Sequence, residues 1–148
     1  MPEASTIIIC PNCGRKNRVR PSPSGFPRCS VCHAALPWIV DASPETFDEE
    51  IRSSLPVLVD FWAPWCGPCR MISPLVEETG RENASRLKVV KLNVDEAPAI
   101  SNRYGVRGIP LLVLFRDGAE ADRLVGAVPR QQLHQWLERH LEPPRETA

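Results

Sequence analysis

The apolar run Pro56-Val57-Leu58-Val59-Asp60-Phe61-Trp62 leads through Ala63-Pro64-Trp65 into Cys66-Gly67-Pro68-Cys69. The run has the length and composition of a buried strand. The segment after it carries Met71, Ile72, Leu75 and Val76 on one helical face. A cysteine pair at a strand-to-helix junction constrains both fold and chemistry. A helix start leaves backbone N–H groups unpaired and carries the positive end of the macrodipole. A thiolate on Cys66 is stabilised there, so its pKa is expected to fall from ~8.5 toward neutrality. Cys69 lies one turn further in, within reach of a mixed disulfide formed on Cys66. Pro68 fits between them because proline is tolerated in the first turn. The pair reads as a two-electron thiol–disulfide exchange device; the alternatives are a static disulfide or half of a zinc site.

The other four cysteines form a second pattern. Cys10-Pro11-Asn12-Cys13 and Cys29-Ser30-Val31-Cys32 are separated by fifteen residues, a C-x2-C-x15-C-x2-C spacing. Two such knuckles can close a tetrahedron of sulfurs around one zinc ion. A module this small cannot bury a core that would hold it folded, so a structural metal is the expected staple. Zinc, one per chain, on Cys10, Cys13, Cys29 and Cys32 is the reading. Unmetallated thiols are the alternative. Cys32-His33 also completes a C-x-x-C-H haem-attachment pattern, and His33 could replace one cysteine as ligand. Both are set against the better use of a four-cysteine zinc site, with His33 an exposed residue near the junction.

Composition narrows the function classes. The chain has 18 basic and 18 acidic residues, so no overall field favours nucleic acid or membrane. Its longest clean apolar run, Ile109 to Phe115, falls far short of the ~20 residues of a membrane span. Met1 to Ile9 has no basic region of the kind that opens a secretory signal. Six cysteines in that context point to a reducing compartment, and a cytoplasmic location is expected. Met1 to Leu36 holds Arg15, Lys16, Arg18, Arg20 and Arg28 against Glu3 alone; this is read as a solvated loop rather than a surface for nucleic acid.

From Trp38 onward, apolar runs alternate with amphipathic segments. Trp38-Ile39-Val40 reads as a strand. Ser43 as N-cap and Pro44 at the first helical position open a helix to Ser53. Val57 to Trp62 is a strand and Gly67 to Glu82 a helix containing Pro74, which must kink it. Leu87 to Val94 is a strand, and Ala97 to Tyr104 a short helix. Leu111 to Phe115 and Ala121 to Val125 form a hairpin across Asp117-Gly118. Pro129 to Leu141 closes as a helix. The order gives an α/β fold, a mixed sheet flanked by helices. The expected division is 1–36 for the zinc ribbon, 37–142 for the larger domain and 143–148 for a flexible tail. Asp60 interrupts its strand. It faces solvent or, if the strand is central, is buried with a raised pKa.

Val57 to Cys69, with Lys91-Leu92-Asn93-Val94-Asp95, Tyr104-Gly105-Val106-Arg107-Gly108-Ile109-Pro110 and Val125-Gly126-Ala127, resembles the thioredoxin family. The four-cysteine ribbon and Gly126-Ala127-Val128-Pro129 are similar to its zinc-bearing thioredoxin-2 subtype. The resemblance implies a thioredoxin fold. It makes Cys66 the nucleophile, Cys69 the resolving thiol and Asp60, near Lys91, the buried proton acceptor for Cys69. Ile109-Pro110 would be the family's cis-proline, packed against the cysteine pair. Trp65, Gly67, Pro68, Gly108, Ile109, Pro110 and Gly126 would border the substrate. The implied activity is protein-disulfide reduction by a monomer, with disulfide-containing proteins as targets and no bound organic cofactor. Electrons would come from NADPH through a flavin-containing thioredoxin reductase. Leu111 stands where the family commonly has threonine, which bears on target preference. The rival readings are a disulfide oxidase or isomerase and a zinc-dependent protein or RNA interaction module with a secondary redox role.

Overall fold

The computed structural model describes residues 4–141. The expected tail at 143–148 lies outside the described residues. Within 4–36, β1 (Thr6–Ile9) and β2 (Lys16–Val19) pair antiparallel, with Ile8 opposite Asn17 and Thr6 opposite Val19. Sequence reading assigned no strands here. Ile8, Asn17 and Val19 are buried, while Ile7, Ile9, Lys16 and Arg18 face outward.

The two cysteine knuckles repeat one backbone pattern. Gly14 N–H donates to Cys10 O (2.9 Å) and Cys10 N–H to Arg15 O (2.8 Å); His33 N–H donates to Cys29 O (3.0 Å) and Cys29 N–H to Ala34 O (2.9 Å). The residue closing each knuckle is left-handed, Gly14 at φ 80° and His33 at φ 66°. His33 is exposed and takes a position that glycine occupies more easily. The ribbon is seated on the larger domain: Ile8, Val19, Cys10, Cys29 and Leu36 share one hydrophobic cluster with Trp38, Phe47 and Ile51. Gly25 N–H donates to Ser54 Oγ at 3.0 Å across the same junction.

The remaining elements are β3 (Trp38–Ala42), α1 (Phe47–Glu50), β4 (Val57–Trp62), α2 (Gly67–Glu82), β5 (Lys88–Asn93), α3 (Pro98–Arg103), β6 (Leu111–Arg116), β7 (Ala119–Val125) and α4 (Arg130–Glu138). They form a five-stranded sheet in the order β3-β5-β4-β6-β7. β3, β5 and β4 run parallel, and β6 and β7 antiparallel. This is the mixed sheet flanked by helices that the alternating pattern implies. Strand alternation sorts the core into two layers. Val57, Val59 and Phe61 face the ribbon, α1 and α3; Leu58 faces Ile72 and Val76 of α2 and Leu133, Trp136 and Leu137 of α4.

Several element boundaries differ from the sequence reading. The first helix is shorter: Ser43 is not its cap, and Ser43 to Thr46 forms a turn in which Ser43 N–H donates to Thr46 Oγ1 at 2.9 Å. Its far end stops at Glu50, whose carbonyl accepts from Lys88 Nζ at 2.7 Å. The second hairpin strand starts at Ala119, because Asp117 (φ 52°) and Gly118 (φ 79°) make a two-residue turn of the kind that matches strand twist. The last helix is a turn shorter at its end. Gly80, in the last turn of α2, allows close approach to β3: a Cβ there would lie 2.8 Å from Ile39 Cγ1. Among the described residues, no helix is long and apolar enough to cross a membrane.

Candidate active site and cysteine cluster

The central strand β4 ends at Trp62, and Ala63 to Trp65 turn the chain into α2. Cys66 is the helix N-cap, in an extended conformation (φ −88°, ψ 108°). Its Sγ accepts the Cys69 N–H at 3.2 Å, one of the donors a helix start leaves unpaired. Cys66 and Cys69 are joined by a disulfide, with Cα atoms 5.3 Å apart. Both are buried, in a small cluster with Ala63 against Trp62, Val94 and Ile109. Trp65 is 68% exposed. Its indole N–H donates to Asp95 Oδ2 at 3.0 Å, which holds a large exposed ring in one place. Asp95 was not singled out from sequence, although its place directly after β5 and the resembling segment around it was the available signal.

Ile109-Pro110 is a cis peptide, with Ile109 against the cysteine pair. A groove of about 480 Å³ runs beside it, walled by Trp65, Val94, Pro98, Val106, Gly108 and Ile109. The structure therefore brings Trp65, Gly108 and Ile109 together. Gly67 and Pro68 are exposed at the helix start, outside the groove wall, and Pro110 is buried. Gly126 (φ 91°) donates its N–H to Pro110 O at 3.0 Å, so it adjoins the proline by backbone contact.

Asp60 lies on the face of β4 that packs under α2, opposite Lys91 of β5 and Leu112 of β6. It is completely buried, and neither carboxylate oxygen has a hydrogen-bond partner. Burial pushes its pKa up from 3.8 to about 6; Lys91 opposes the rise and Glu77 adds to it. The solvent-facing alternative is thereby excluded. Lys91 Nζ donates to Ser73 Oγ at 2.8 Å and lies 3.6 Å from Glu77 Oε1. A small cavity of about 130 Å³ opens beside Cys69, bounded by Trp62, Arg70, Ser73 and Lys91. Sequence reading missed Ser73, which a helical face with one small polar residue does not advertise.

The second cluster is Cys10, Cys13, Cys29 and Cys32, whose Sγ atoms all lie within 4.8 Å of one another. Cys10 and Cys32 are 3.6 Å apart and Cys13 and Cys29 3.5 Å. A tetrahedron with Zn–S near 2.3 Å would put sulfurs roughly 3.8 Å apart, so the donor set fits a metal ion of that kind. N–H groups point at these sulfurs, among them Asn17 Nδ2 (3.6 Å) and Val31 N (3.5 Å) at Cys29, and Asn12 Nδ2 (3.5 Å) at Cys32. Such donors stabilise thiolate character. The Cys32 N–H, ahead of the Val31 N–H and the Asn17 side chain, helps hold Cys29 down at about 6. The imidazole of His33 is not part of the cluster.

Residues 38–139 match the Thioredoxin family. The chain is 53% identical over 97 residues to Thioredoxin 1 of Synechococcus elongatus, covering 65% of this chain and 91% of the relative. It is 50% identical over 109 residues to a thioredoxin of Synechocystis, covering 73% and 99%. It is 39% identical over 142 residues to Thioredoxin M4, chloroplastic, of Arabidopsis thaliana, covering 93% and 72%. With a cysteine pair capping α2 beside a cis-proline, a family match spanning the whole larger sheet and these relatives, the chain belongs to the thioredoxin family and is a thiol–disulfide oxidoreductase.

Proposed function

We propose that the chain is a protein-disulfide reductase of the zinc-bearing thioredoxin-2 type. The observation that carries this reading is the Cys66–Cys69 disulfide in the first turn of α2, with buried, unpartnered Asp60 in the same layer. In the dithiol form, the Cys66 thiolate attacks one sulfur of a target disulfide. A Cys66–target disulfide forms and the other target sulfur leaves as a thiolate, which takes up a proton. Cys69 then gives its proton to the Asp60 carboxylate and attacks Cys66 Sγ. The Cys66–Cys69 bond forms, the mixed disulfide breaks, and the target departs reduced by two electrons. NADPH, through a flavin-containing thioredoxin reductase, returns the two electrons.

Trp65, Gly67, Pro68, Gly108, Ile109, Pro110 and Gly126 form the target-binding surface. The groove beside Trp65 accepts the apolar part of a target chain, and the Ile109 backbone pairs with an extended segment. Cys10, Cys13, Cys29 and Cys32 hold one zinc ion, which cross-links the two knuckles and takes no part in the exchange. The protein works where thiols are kept reduced.

Insulin reduction driven by NADPH and thioredoxin reductase tests the reading. Cys66→Ser should abolish turnover. Cys69→Ser should accumulate mixed disulfides with targets, which Cys66→Ser should not. Trapping chiefly through Cys69 would reverse the assignment of the two thiols.

A further inference from the structure

The Lys91 ammonium has two partners on α2, and they pull it in different directions. Ser73 Oγ, at 2.8 Å, belongs to the wall of the small cavity beside Cys69. Glu77 Oε1, at 3.6 Å, belongs to a side chain 42% exposed, whereas Lys91 itself is 15% exposed. Ser73 therefore draws the ammonium inward and Glu77 draws it toward water. The groups facing Asp60 are few. Strand β5 contributes Lys91, directly across the parallel pair, and β6 contributes apolar Leu112. Helix α2 contributes Glu77, and the cavity beside Cys69 is lined by Arg70 and Ser73 together with Lys91. Arg70 is engaged elsewhere, donating to Pro64 O at 2.7 Å. Lys91 is thus the cation available to a carboxylate that has no hydrogen bond of its own.

We propose that Ser73 is a positioning residue for the resolving step: its hydroxyl holds the Lys91 ammonium in the cavity beside Cys69, against the outward pull of Glu77. This rests on the reading of Asp60 as proton acceptor for Cys69. The balance of that step is unchanged: the Cys69 thiol gives its proton to Asp60, the thiolate bonds to Cys66 Sγ, and the target sulfur leaves. The effect of Ser73 is on charge. A carboxylate in a low-dielectric interior is stabilised by an opposite charge a few ångströms away, and the stabilisation falls as that charge moves into water. Without the hydroxyl, Lys91 relaxes toward Glu77, and Asp60 keeps its proton to higher pH.

The test uses the full-length chain as wild type, S73A, S73T and D60N. Carbon-13 NMR follows the Asp60 carboxyl titration in the disulfide form, and stopped-flow follows target release against pH in the dithiol form. S73A should move the Asp60 midpoint upward by about half a pH unit or more. The pH profile of target release should move in the same direction. S73T, which keeps the hydroxyl, should restore both. A midpoint in S73A that stays in place or moves to lower pH overturns the assignment. D60N separates the two readings. If it leaves the pH profile of release unchanged, the proton-acceptor reading fails, while the NMR midpoint still decides whether Ser73 positions Lys91.

Discussion

Lys88 and Glu50 form an ion pair of 2.7 Å with side chains 0% and 4% exposed. The same ammonium takes the Glu50 carbonyl and lies 4.2 Å from the centre of the Trp38 ring. Burial holds the Lys88 pKa below its ordinary value, and the hydrogen bond to Glu50 opposes that shift. The pair ties α1 to β5 beneath the ribbon. Removing one partner strands a buried charge, which costs about 3–5 kcal/mol, whereas replacing both with apolar groups of similar size is often neutral or stabilising. E50A should therefore lower the urea midpoint strongly, and E50L/K88M should recover most of the loss. An E50A midpoint equal to wild type would mean the pair contributes nothing.

Metal removal should be felt in the larger domain. Leu36 and Cys29 share a hydrophobic cluster with Trp38, and β1 packs near β3. If a zinc ion closes the ribbon, chelation loosens one side of that cluster, because metal binding and folding of such a module are coupled. Native mass spectrometry should find one zinc per chain, unchanged in C66S/C69S. Chelation should lower Tm and alter Trp38 fluorescence. Peroxide should also release the ion, since oxidised thiols no longer ligate. A metal-free chain with the same Tm would remove zinc from the account.

Asp95 fixes the Trp65 indole over one wall of the groove. The ring is mostly exposed, so the hydrogen bond competes with water and is worth about 0.5–1.5 kcal/mol. D95A should leave the fold intact and let the ring move. The expected loss in kcat/KM for insulin is roughly threefold to tenfold, carried mainly by KM if Trp65 acts in binding. A change confined to kcat would place Asp95 in the chemistry instead.

The sheet was legible because its strands announce themselves. Leu111 to Phe115 is a continuous apolar run and Val57 to Trp62 one broken only by Asp60, as expected where helices cover both faces. The cysteine pair and the two knuckles were legible by spacing alone. What escaped were relationships between segments distant in sequence. Glu50 and Lys88 are 38 residues apart, and Trp65 and Asp95 30 apart. Nothing local distinguishes a buried lysine from a surface one. The sequence reading overextends the first helix because Ser43-Pro44 is as good a turn start as a helix start, and at its far end the Glu50 carbonyl is taken by Lys88 from a distant strand.

Asp60 gives a pH dependence with a definite sign. Its folded pKa of about 6 stands above the ordinary 3.8, chiefly through burial. Between these values the unfolded chain releases its proton while the folded chain keeps it. Stability contributed by this group is fully present below 3.8 and is lost as pH rises through about 6. A shift of that size corresponds to a cost on the order of 3 kcal/mol at pH 7. D60N, similar in shape and without the charge, should raise stability at pH 7 and leave it little changed near pH 3. The same variant should slow target release at Cys69, trading stability against turnover. Urea unfolding at the two pH values, paired with the release rate, measures both sides. Equal stabilisation at both pH values would trace the effect to packing rather than to the buried charge.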